Sequence, residues 1–148
     1  MKALIQRVKN AQVTADGTLS GKIDQGILVL VGFTHDDTKE KVTKCLEKLL
    51  KIRIFEDDQK KLNLNLQQAN GSLLIVSQFT LYGDLKKGNR PGFDAAMRPE
   101  LAEPLYDFCV AEAKRLIGDE SKVQTGVFGA FMEVELNNDG PCTFMLEY

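Results

Sequence analysis

Two short segments carry the residues best suited to chemistry. Ser77-Gln78-Phe79-Thr80-Leu81 follows the apolar run Leu73-Leu74-Ile75-Val76, so two hydroxyls and an amide stand where a buried strand would end. A strand terminus leaves backbone N–H groups outside the ladder. Fixed N–H groups stabilise the oxyanion of acyl-ester hydrolysis. The second segment is Asn138-Asp139-Gly140-Pro141-Cys142-Thr143. Its Gly-Pro pair marks a turn, and a turn aims main-chain carbonyls in a set direction. On pattern alone both segments also read as plain strand-to-turn transitions, with Ser77 and Thr80 satisfying backbone groups.

Other chemistries find few residues. The single histidine, His35, lies in the polar stretch His35-Asp36-Asp37, and no GxSxG elbow accompanies it. Cys45, Cys109 and Cys142 are three and dispersed, which fits reduced thiols rather than a disulfide framework or a zinc site. No Walker loop or GxGxxG is present, so neither a metal nor a cofactor is expected. The longest apolar run, Ile27 to Val31, is far short of the ~20 residues of a membrane helix. Nothing at Met1 to Arg7 reads as a signal peptide. A cytoplasmic protein with no membrane partner is the expectation.

The elements that position the two segments follow from periodicity. Ala3 to Thr14 alternates as a strand, Asp16-Gly17 turns, and Thr18 to Ile23 returns. Ile27 to Phe33 is apolar throughout, as in a strand buried on both faces. Asp37 and Glu40 resemble a capping box with Asp37 as the cap. Val42, Cys45, Leu46, Leu49 and Leu50 then predict an amphipathic helix over 38–51. Ile52 to Phe55, Leu62 to Leu66 and Ser72 to Gln78 read as strands. A second helix is predicted over 99–117, from Pro99 in its first turn to Gly118 at its stop. Its shared face is Leu101, Leu105, Phe108, Cys109 and Leu116. Residues 132–136 form a strand that Asn138 to Pro141 breaks, and Thr143 to Tyr148 forms the last. About eight strands and two helices without βαβ alternation predict an α+β single domain: a mostly antiparallel sheet or barrel with two packed helices.

Taken together, the two segments resemble the signature of the D-aminoacyl-tRNA deacylases. Ser77 to Leu81 matches that family's SQFTL motif in full. Asn138 to Thr143 matches its NxGPVT motif except that Cys142 stands for valine. Leu4 to Val8, Arg53-Ile54-Phe55, Leu62 to Asn65, Asn89 to Phe93 and Gln124-Thr125-Gly126 also resemble family segments, in the family's order. The resemblance implies a homodimer that hydrolyses the ester between a D-amino acid and the 3′-terminal adenosine of tRNA. It implies that Gly140-Pro141 has a cis bond and reaches across to the partner subunit's pocket, which Ser77 and Gln78 line. There the main-chain carbonyls exclude L-residues by sterics close to the α-carbon, which leaves glycyl-tRNA as a substrate.

By the same resemblance the N–H groups of Phe79 and Thr80 are the catalytic donors, and Arg7 and Asn138 support the turn. Thr80 as a nucleophile would need a base. Water activated by the substrate's own 2′-hydroxyl is the alternative. Two other readings stay open: a non-catalytic module that holds an RNA end or a protein, and a variant whose turn admits L-alanyl esters.

Charge fits contact with the end of an RNA rather than a coat along it. Of 148 residues, 19 are Lys or Arg and 21 Asp or Glu, a net of −2. A protein that coats DNA or RNA is normally strongly basic, so no DNA partner is expected. The distribution is uneven. Lys86, Lys87, Arg90 and Arg98 outweigh Asp84 and Asp94 in the stretch 84–99, beside the proposed pocket. The following helix is acidic.

Overall fold

The computed structural model describes residues 1–86 and 88–148; Lys87 of the basic stretch lies outside the described residues. One mixed sheet dominates. The first strand, β1 (Lys2–Ala15), is its spine. It pairs antiparallel with β2 (Thr18–Ile23) through Ala11 to Ala15 and with β3 (Gly26–Gly32) through Lys2 to Val8. Along its other edge runs β8 (Met132–Glu147), also antiparallel. β6 (Ser72–Ser77) lies parallel to β3, and β7 (Val123–Thr125) parallel to β6. Ser20 Oγ donates to the Thr125 carbonyl at 2.9 Å, which draws β2 against β7 and nearly closes the sheet into a barrel. A small hairpin of β4 (Phe55–Glu56) and β5 (Leu62–Leu64) stands apart.

Alternation along the strands separates two cores. Leu73 and Ile75 of β6 face the helices α1 (Lys39–Lys51) and α2 (Pro99–Ile117). Leu74 and Val76 face the barrel interior with Val8, Val13 and Leu28. Val42, Cys45, Leu46, Leu49 and Leu50 of α1 are all buried, as their spacing predicts. Each fully buried leucine contributes roughly 1.5–3 kcal/mol over an exposed one. The predicted α+β class, with its two helices on a barrel-like sheet, is the architecture observed; the β3–β6 and β6–β7 pairings make the sheet mixed.

Several local expectations are corrected. Thr38, not Asp37, caps α1: its side chain accepts from the Lys41 N–H. Asp37 is instead buried. Its Oδ1 lies 2.6 Å from the Met1 ammonium, and its Oδ2 accepts from the Thr34 N–H at 2.7 Å. A carboxylate is held more strongly by a buried cation than by one backbone N–H, so the neighbouring threonine takes the cap. Leu101 is exposed, because the face that α2 buries runs through Ala102, Leu105, Tyr106, Cys109 and Ala113 and is turned away from Leu101. Strand pairing begins at Phe55 rather than Ile52, which ends α1. The segment 138–141 does not break its strand. β8 runs through it with a bulge: Asn138 opposes Val8 and Thr143 opposes Gln6, leaving Asp139 to Cys142 looped out against Arg7.

Candidate active site

β6 ends at Ser77, and Phe79 to Tyr82 then wind into a single 3-10 turn. Parallel pairing with β7 stops at Ile75, whose carbonyl accepts from the Gly126 N–H at 3.0 Å and from the Tyr106 hydroxyl at 2.9 Å. Beyond that point the two chains diverge. A cleft of about 670 Å³ opens between the end of β6 and the segment 128–134. Val76, Ser77, Gln78 and Phe79 form one wall, Phe128 to Met132 the opposite wall, and Phe93 and Met97 part of the rest. The Phe79 and Phe93 rings meet edge to face, with centroids 5.0 Å apart.

The turn beside the cleft is fixed from three sides. The Gln78 N–H donates to the Val31 carbonyl at 2.7 Å. Gly32 lies so close that a Cβ there would stand 2.8 Å from the Gln78 carbonyl oxygen. Lys2 Nζ donates to the Leu81 carbonyl at 3.2 Å and lies 4.9 Å above the Tyr82 ring. Burial pushes the Tyr82 hydroxyl up to about 12, with Asp37 and Glu147 adding to it, so it stays a neutral phenol. Phe79 and Thr80 open the 3-10 turn, where N–H groups have no partner within the helix. Both residues are exposed. Gln78 Nε2 donates to Thr80 Oγ1 at 2.5 Å. His35 is occupied elsewhere: its Nε2 lies 2.7 Å from the Asp94 carbonyl.

The second segment forms a different kind of site. Gly140–Pro141 is a cis peptide bond, and both residues are exposed. Beneath them Arg7 is buried. Its Nε donates to the Asp139 carbonyl at 3.2 Å and lies 3.0 Å from Asp139 Oδ2, while Nη1 donates to the Ile54 carbonyl at 2.7 Å. Asn138 Nδ2 donates to the carbonyls of Arg7 and Cys142, at 2.9 and 3.2 Å, and so ties the bulge shut. Gly140 has φ +129°, a conformation that side chains rarely adopt. A Cβ there would meet the Cys142 nitrogen at 3.0 Å and Arg7 Nη2 at 3.3 Å. Cys142 is buried, and that burial raises its thiol pKa.

Ser77, Gln78 and Phe79 therefore line the cleft, with Thr80 next to them in the 3-10 turn but outside the lining, and Arg7, Asn138, Gly140 and Pro141 lie together at the bulge. Within one chain the two groups do not meet: no residue of 138–143 lines the cleft. Sequence reasoning missed Gly32, Lys2 and the wall formed by Phe128 to Met132. A glycine ending an apolar strand is a signal for close backbone approach. Lys2 and the far wall leave no local signal, since they arrive through pairings distant in sequence.

A family model described as D-Tyr-tRNA(Tyr) deacylase matches residues 4–147. The chain is 51% identical over 147 residues to a D-aminoacyl-tRNA deacylase of Exiguobacterium sibiricum, covering 99% of each. It is 51% identical over 148 residues to one of Clostridioides difficile, covering 99% of this chain and 97% of the other. A solved structure named c-Myc DNA Unwinding Element Binding Protein has a TM-score of 0.94 and 38% identity, covering 100% of this chain and 99% of that one. A probable eukaryotic D-amino acid tRNA deacylase has a TM-score of 0.85 at 21% identity, covering 98% of this chain and 97% of that one, a likeness of fold.

Proposed function

The chain belongs to the D-Tyr-tRNA(Tyr) deacylase family, and from that premise we propose that it is a D-aminoacyl-tRNA deacylase whose working site joins the cleft of one subunit to the Gly140–Pro141 turn of its partner. The observation that carries this reading is the separation within one chain of two complementary halves: an apolar cleft and an exposed turn. A twofold dimer would bring each turn to the other subunit's cleft. β8 supplies a surface for it. Among the described residues its one strand partner is β1, and it exposes Leu136, Phe144 and Met145.

In this site the terminal adenosine and its ester enter the cleft. Water adds to the ester carbonyl, and the resulting oxyanion accepts hydrogen bonds from the Phe79 and Thr80 N–H groups. The intermediate collapses and expels the ribose 3′-oxygen. The proton lost by the water reaches that oxygen through the neighbouring 2′-hydroxyl. The products are free D-amino acid and tRNA. Thr80 Oγ1 has no base beside it and accepts from Gln78, so the hydroxyl shapes the pocket rather than attacking. Carbonyls of the partner's turn stand at the α-carbon and exclude an L side chain whatever its type. Glycine carries none, so glycyl-tRNA is cleaved. The protein acts in the cytoplasm, where charged tRNA is used.

The experiment is release of D-Tyr against L-Tyr from charged tRNA by the purified protein. Rapid release of D-Tyr alone is expected, and equal rates would overturn the chiral mechanism. Glycyl-tRNA hydrolysed no faster than it decays spontaneously would remove the steric account. A second reading, DNA binding without catalysis, is favoured by the name of the 38% identical structure alone. The net charge of −2 weighs against it. Tight binding of duplex DNA with no esterase activity would establish it instead.

A further inference from the structure

Among the described residues that line the cleft, Arg98 alone carries a formal charge. The rest of the lining is largely apolar, with five phenylalanines. An apolar cleft suits an adenosine and an amino acid ester, but the substrate proposed above is an RNA end, and its charge sits on phosphate. Arg98 is exposed, and no ion pair among the described residues involves its guanidinium.

Its backbone is held firmly. The N–H groups of Leu101 and Ala102 donate to the Arg98 carbonyl at 3.0 and 2.9 Å, and the preceding Met97 N–H donates to the Phe33 carbonyl at 2.9 Å. Thr34 Oγ1 donates to the Ala95 carbonyl at 2.6 Å, and His35 meets the Asp94 carbonyl. The cation is thus mounted on a fixed rim. In the stretch of sequence before it, Lys86, Lys87 and Arg90 outnumber Asp84 and Asp94, three charges to two.

Resting on the deacylase reading, we infer that Arg98 binds the phosphodiester joining the terminal adenosine to the nucleotide before it. A guanidinium presents forked donors that match two phosphate oxygens, which an ammonium does not. Such a contact positions the RNA end without reading its sequence. It also sets a preference for a nucleotide chain over a bare nucleoside ester, which a purely apolar cleft would lack.

The test compares two substrates: D-Tyr-tRNA, and D-Tyr esterified to adenosine, which has no phosphate. Arg98→Ala is expected to lower the preference for the tRNA ester over the adenosine ester, as the ratio of kcat/KM, about fivefold. The slope of log KM for tRNA against log salt should fall by about 0.7, one single-strand phosphate contact. Arg98→Lys should recover most of the salt slope and part of the preference. Equal losses on both esters would show a structural role and overturn the inference, as would an unchanged ratio and slope. Wild-type protein that hydrolyses neither ester would instead overturn the deacylase reading, and this inference with it.

Discussion

The cleft behind Phe79 is walled by apolar side chains and positioned by backbone contacts, whereas the Gly140–Pro141 turn is held by polar side chains over a buried guanidinium. The cleft owes its shape to one strand leaving another at Ile75. Small shifts of main chain would alter it, and single side chains matter less. The turn owes its shape to Arg7 and Asn138, which satisfy carbonyls that a looped-out segment leaves unpaired. Shape is thus set by main chain in one region and by two side chains in the other.

Mutation should separate the two. Arg7→Ala leaves the carbonyls of Ile54 and Asp139 and the Asp139 carboxylate without their donor. A loss of about 2–4 kcal/mol in denaturant unfolding is expected, along with deacylation. Retained stability would show that the turn holds itself. Gly32→Ala pushes the Gln78 carbonyl aside and so tilts the Phe79 and Thr80 N–H groups. Single-turnover rates should fall on the order of 10²-fold with the melting transition little changed.

Gly140→Ala should be similarly inactive, for want of a turn. Because the two lesions lie in different halves, mixing Gly32→Ala with Gly140→Ala subunits should restore roughly a quarter of wild-type activity, one intact site in each mixed dimer. No recovery after verified subunit exchange would place both halves in the same chain's site. Thr80→Val keeps the backbone and removes the hydroxyl, so kcat should drop less than tenfold; a loss on the order of 10⁴-fold would make Thr80 the nucleophile after all. Cys142→Val restores the residue usual in the resembled motif, and the melting curve should move by less than about 1 kcal/mol. Because burial disfavours the thiolate, Cys142 in the native wild type should alkylate slowly at neutral pH and quickly once unfolded.

Both helices were legible because their apolar residues recur at helical spacing, and α1 buries each one expected. Leu101 shows the limit: periodicity gives an apolar stripe, and only packing decides that α2 turns Ala102 rather than Leu101 into the core. The two chemical segments were legible as residue types. Their surroundings were not. Arg7 lies 132 positions from Asp139, and no local pattern announces that they meet.

The sequence by itself determined the helices, most strands and the family, because motif and periodicity are local properties of the chain. Only the tertiary structure decided that the cleft and the turn stand apart in one chain, that residues 139–142 bulge rather than end a strand, and that Asp37 anchors Met1 instead of capping a helix. Those outcomes depend on strand register and on competition for partners across the whole fold. The free energy of a buried charge or an unpaired carbonyl is fixed by what finally lies next to it, not by its neighbours in sequence.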